Sequence, residues 1–72
     1  MYNLVIVRHF DKNEPDMYDK VTVEMDGETL HEFGDYYHDK GYEKASAYTL
    51  AFFDLFGTDE VTVRDEDRGS EE

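Results

Sequence analysis

Residues able to do chemistry gather at three places in this sequence. Arg8-His9 closes the apolar run LVIVRHF, residues 4–10, and a strand end of that kind can present an imidazole as a nucleophile beside a guanidinium that holds an anion. His31, Glu32, Asp35 and His38 supply imidazole and carboxylate, the donors that suit zinc and similar ions. Carboxylates also recur in short rows through the loops, a hairpin and a helix. Two of these three readings weaken on inspection. The His31 to His38 spacing fits no fixed coordination geometry, because the first histidine falls on a strand and the second one turn into a helix. Such groupings arise by chance in a chain with 19 Asp and Glu among 72 residues. The terminal Asp-Glu-Asp lacks the glycine and regular alternation of a calcium loop.

The opening stretch resembles the start of the histidine phosphatase (phosphoglycerate mutase-like) family, whose first strand ends in Arg-His-Gly. In that family the histidine is phosphorylated and the arginine clamps the phosphate. Arg8 and His9 match, but Phe10 stands where the family has the glycine that lets the backbone approach the phosphate. The match covers barely ten residues, His31 and His38 have no matching context, and a chain of formal charge −12 repels phosphate esters. Arg8 and His9 are therefore expected at a strand end in water or paired with a nearby carboxylate. A Gly-rich phosphate loop, a serine with a base beside it and a basic patch are all missing from the sequence. No catalytic residue, cofactor, metal site or direct nucleic-acid binding is expected.

The carboxylates remain. Nineteen Asp and Glu face seven Lys and Arg. Residues 65–72, DEDRGSEE, hold five acids and one base, and removing them leaves 14 acids against 6 bases over residues 1–64. The body is thus acidic in its own right. Asp11, Glu14, Asp16 and Asp19 fill the first connection, Glu24, Asp26 and Glu28 surround a turn, and Glu32 follows on the next strand. Asp35, Asp39 and Glu43 recur at i, i+4 and i+8, which sets them about 6 Å apart along one helix face. Like charges at that spacing cost roughly 0.2–0.5 kcal/mol per pair. Lys40 and Lys44 offset them only in part.

The elements that must hold these groups follow from periodicity. Residues 2–9 read as a central strand, apolar on both faces, with Leu4 and Ile6 on one side and Val5 and Val7 on the other. DKNEPDMYDK reads as a polar loop around Pro15. KVTVEM alternates with Val21, Val23 and Met25 inward, Asp26-Gly27 signals a type I′ turn, and ETLHEF returns antiparallel. Tyr37, Gly41, Ala45, Tyr48, Phe52 and Leu55 then form the stripe of a long helix, with Asp35 as N-cap and Gly57 as its stop. Gly41 implies close approach to the sheet, or a break into two helices. EVTVRDE alternates again as a fourth strand. The expected fold is α+β, order β-β-β-α-β: a small antiparallel or mixed four-stranded sheet with one helix across one face. Residues 1–64 make one domain and 65–72 a flexible acidic tail. A domain of this length buries only about 60% of its unfolded surface, and LAFFDLF is apolar nearly all round, so a homodimer is expected. With no cysteine, no leader and no membrane-spanning run, the chain reads as cytoplasmic.

In size, acidity and aromatic content the chain resembles the small acidic DNA-mimic proteins, many encoded by bacteriophages, that block nucleic-acid-binding proteins of the host. That resemblance implies a non-enzymatic inhibitor, acting in the host cytoplasm, that occupies the DNA site of a basic protein. A histone-like nucleoid protein of the HU type is the expected target, because a dimer with two acidic faces suits a dimeric clamp indifferent to sequence. The carboxylates of the hairpin and the first half of the helix carry the interaction, the loop acids support it, and Tyr36 and Tyr42 either add apolar contact or pack in the core. Two rivals stay open: an acidic interaction module that regulates a host enzyme without mimicry, and a small domain adapted to high salt.

Overall fold

The computed structural model describes residues 1–11, 14–34 and 40–69, with backbone alone for 11 and 14–19. It shows a small α+β domain of order β-β-β-α-β: β1 (Tyr2–Asp11), β2 (Glu14–Met25), β3 (Glu28–Phe33), α1 (Lys40–Phe56) and β4 (Val61–Gly69). The sheet is mixed, in the order β3-β2-β1-β4. Strand β1 lies antiparallel to β2 and parallel to β4, the central position its doubly apolar run requires.

Register assigns the faces. Leu4 sits opposite Met25 and Val63, and Ile6 opposite Val23 and Asp65. These side chains face α1, and the core forms there from Leu4, Ile6, Val21, Val23, Ala45 and Val61. Asp26 and Gly27 both have positive φ, 55° and 85°, as a type I′ turn demands.

Helix α1 buries Gly41, Ala45 and Thr49. The described helix runs from Lys40 through Gly41 to Phe56, and the alternative of a break at Gly41 concerns residues 35–39, outside the described ones. Rings extend the contact in a chain: His31 stacks on Tyr48, Tyr48 meets Phe52, and Tyr2 meets Phe56 at 4.4 Å. The expected stripe ended on Leu55, which is instead 75% exposed. A 3.6-residue period carries the sheet-facing side from Phe52 to Phe56, which stays 40% exposed beside Tyr2, and Thr49, with its hydroxyl donating to the Ser46 carbonyl, joins the interior. At the helix end Gly57 has φ 91°, and its N–H donates to the Phe53 carbonyl, the single-bond left-handed cap. The N-cap expected at Asp35 lies outside the described residues.

Two expectations need correction. DKNEPDMYDK was expected as a loop, but all from Glu14 onward belongs to β2. Its residues lack apolar alternation, and backbone pairing with the end of β1 holds them instead. Register shifts on either side of Phe10 absorb the extra residues, including Pro15, which a regular ladder would reject. The acidic end was expected to fray from residue 65, yet Asp65–Gly69 continue β4 opposite Ile6–Phe10. Parallel pairing along the full length of β1 satisfies backbone groups that a tail would leave to water.

Deleting residues 65–72 is therefore predicted to lower the thermal midpoint sharply or abolish the folded circular dichroism spectrum, whereas an unchanged midpoint would mean β4 ends near Arg64. Gly57→Ala is predicted to cost about 1–2 kcal/mol from backbone strain alone, because an added Cβ meets no neighbouring atom. Urea denaturation measures this.

Candidate binding surface

Helix α1 covers one face of the sheet and leaves the other open. Parity and register place Asn3, Val5, Val7 and His9 of β1 on that open face, with Lys20, Thr22 and Glu24 of β2, Glu32 of β3, and Thr62, Arg64, Glu66 and Arg68 of β4. Its ionic side chains are balanced. Arg68 donates from Nε and Nη2 to Glu66 at 3.1 and 2.7 Å, and from Nη1 to Glu24 at 3.1 Å. Glu24 is opposite Val5 and Arg68 opposite His9, so this pair bridges across β1 above Val7. Val7 is accordingly 0% exposed on a face with no helix over it. Arg64 approaches Glu66 at 3.7 Å, Thr62 donates to Asn3, and the His9 ring nitrogen Nε2 lies 2.9 Å from the Thr22 hydroxyl.

The remaining arginine works on the helix side. Arg8 donates to Asp67 at 2.9 Å and lies 5.3 Å from the centre of the Tyr42 ring, whose hydroxyl donates to Asp65. Arg8 is thus paired with a carboxylate, one of the two placements expected for it, although β1 runs on to Asp11 and Arg8 lies within the strand and not at its end. The hydrogen bond to Asp65, then burial, then the Asp65 charge raise the Tyr42 phenol above its ordinary range. The hydrogen bond from Arg68 holds the Glu66 carboxyl below its ordinary value. Glu66 and Glu24, in that order, push Arg68 upward.

The expected site residues divide accordingly. Glu24, Asp26 and Glu28 surround the Asp26-Gly27 turn, but Glu24 is committed to Arg68 on the open face and Glu28, opposite Met25, belongs to the helix side. Glu32 is exposed on the open face, opposite Thr22. Glu43 is exposed in the first turn of α1. Because Tyr42 meets Asp65 while Phe56 meets Tyr2, the helix starts at the end of the sheet remote from the Asp26-Gly27 turn. Glu43 and the turn acids therefore lie at opposite ends. Asp11, Glu14, Asp16 and Asp19 fall on the β1–β2 hairpin, with Asp11 opposite Glu14, in a stretch that runs past the last β3 pair at Val21. Asp35 and Asp39 lie outside the described residues, as do Tyr36 and His38. Among the described residues, Asp26, Glu28, Glu32, Glu43, Asp54 and Asp59 take part in no ion pair.

Chemically the surface offers little beyond charge and shape. Among the described residues no His, Asp and Glu come together in a group able to hold a metal ion, and no helix is long and apolar enough to cross a membrane. Arg64 was expected on the fourth strand, whereas Glu66 and Arg68 fell in the expected tail and belong to β4 instead. The signal that finds them is the alternation of VTVRDEDR, which continues in charges after it stops in hydrophobicity.

The bridge over β1 makes two predictions. Arg68→Ala is predicted to cost on the order of 0.5–1 kcal/mol, less in high salt, and to be non-additive with Glu24→Gln in a double-mutant cycle; full additivity would show that the pair contributes nothing. Glu66 has a lower pKa folded than unfolded, so its contribution is complete above the ordinary value of 4.5 and is lost as pH falls through the lower folded value. Glu66→Gln is predicted to make the thermal midpoint less sensitive to pH in that acid window, and an identical acid limb in both proteins would contradict it. Searches of protein-family models, curated proteins and solved structures found no match to the chain.

Proposed function

We propose that the chain is a non-enzymatic inhibitor that occupies the DNA-binding surface of a basic protein. The observation that carries this reading is β2. Its twelve residues put Glu14, Asp16 and Asp19 on a strand, with Glu14 paired to Asp11 of β1 and Asp16 and Asp19 at the register shifts, where a loop had been expected. Carboxylates on a paired backbone meet a basic groove with less ordering cost than carboxylates on a mobile loop. The three arginines support it, since each is engaged with carboxylates of the sheet. The open face of the sheet, where bases alternate with acids, is a poor copy of a phosphate backbone. The inhibitory surface is therefore the hairpin and its acidic surroundings, with Glu43 on the same end.

Proteins that grip DNA through Lys and Arg without regard to sequence are the targets of choice, and a nucleoid protein of the HU type is the first to try. A second reading is favoured by the balanced open face: an acidic module that recognises a protein partner through Arg64, Arg68 and Glu32 without mimicry.

Competition decides between them. Added to a fluorescent duplex bound by an HU-type protein, the chain is predicted to release the DNA, with affinity falling at least about tenfold between roughly 50 and 200 mM salt. Replacing Asp11, Glu14, Asp16 and Asp19 together by their amides is predicted to abolish release, while Arg64→Ala leaves it intact. Release that ignores salt, or that survives the amide substitutions, would falsify the mimicry reading. Loss on Arg64→Ala would favour the second.

A further inference from the structure

The outward face of α1 is unlike the rest of the surface. Residues 45–56 contain a single charged side chain, Asp54, in a chain whose formal charge is −12. Ala47, Leu50, Ala51 and Leu55 recur at helical spacing and are exposed, Leu50 to 61% and Leu55 to 75%. On the β4 side Leu50 borders a groove of about 430 Å³ lined by Ile6 and Val63.

We propose that this face is where two copies of the chain meet, helix against helix about a two-fold axis. Charge selects the occupant. A basic partner draws its energy from carboxylates, and residues 45–56 offer it only Asp54. Two bodies of −12 each repel wherever carboxylates oppose one another, so the nearly uncharged face is where a second copy comes closest at least cost. Ala47 and Ala51 allow the helix axes to approach to about 8 Å, the short end of the usual range. The fold also has use for the contact, because the core between helix and sheet holds only six buried apolar side chains among the described residues. An interface confined to one helix face and its groove stays below about 1,200 Å² in total, the size of weak, transient contacts.

Salt separates this contact from the proposed inhibitory one, on which it does not depend. Screening relieves repulsion between like-charged copies, so self-association strengthens with salt while binding to a basic protein weakens. In sedimentation velocity the chain is expected to dimerise with a micromolar dissociation constant that tightens severalfold from about 50 to about 500 mM salt. Leu50→Glu is expected to weaken the dimer at least about tenfold with an unchanged circular dichroism spectrum, and Asp54→Asn to tighten it. Leu55→Glu serves as the second disrupting variant should Leu50→Glu fail to fold. A monomer at every concentration, a dimer indifferent to both leucine substitutions, or a dimer that loosens with salt would overturn the proposal.

Discussion

Burial of β1 on both faces is the constraint from which the rest of this structure follows. Leu4 and Ile6 lie under α1 and Val7 under the ionic bridge on the opposite side, all at most 2% exposed. A strand buried twice must be central, and it is flanked by β2 and β4 along nearly its whole length. The helix crosses above it, tied by aromatic rings to β3 at one margin and by Tyr42 to β4 at the other. Without that strand neither the first hairpin nor the last strand has a ladder to join.

The same strand organises the charge. Since only one helix is available, the second face of β1 must be covered by long polar side chains whose aliphatic stems lie over Val7 while their charged ends pair. That is the work of Arg68 with Glu24 and Glu66. Arg8 is held likewise by Asp67. Ion pairs as exposed as these contribute little stability individually. Their larger effect is distributional: they place arginine beside carboxylate on the sheet and, among the described residues, leave Asp26 and Glu28 at the turn, Glu32 on the open face, Glu43 and Asp54 on the helix and Asp59 before β4 without an ion pair.

The regular parts of the fold were legible in the sequence wherever hydrophobic period, turn chemistry or a cap spoke for them. Asp26-Gly27 and Gly57 are positions where backbone geometry demands the residue found, and Val21, Val23, Leu4 and Ile6 alternate into the core as their spacing implies. The failures share one cause. Glu14–Lys20 and Asp65–Gly69 are strands held by backbone hydrogen bonds to β1, and backbone pairing leaves no mark on side-chain polarity. Reading those segments as loop and tail also hid the arginine pairs, because Arg68 meets Glu24 across 44 residues of sequence and only the parallel register of β4 brings them together. The acidity of the body was plain from composition, whereas the division into a balanced sheet face and acidic margins depends on tertiary register.

The functional reading rests on that division: a basic partner should feel the carboxylates of the hairpin end and ignore the neutral face of the sheet. Chemical-shift mapping of the labelled chain during titration with a sequence-indifferent basic DNA-binding protein tests it most directly. The account predicts perturbed amides at residues 11–19 and around Glu43, with Val5, Val7, Arg64 and Glu66 undisturbed. Perturbations centred on the open sheet face, with residues 11–19 silent, would contradict it.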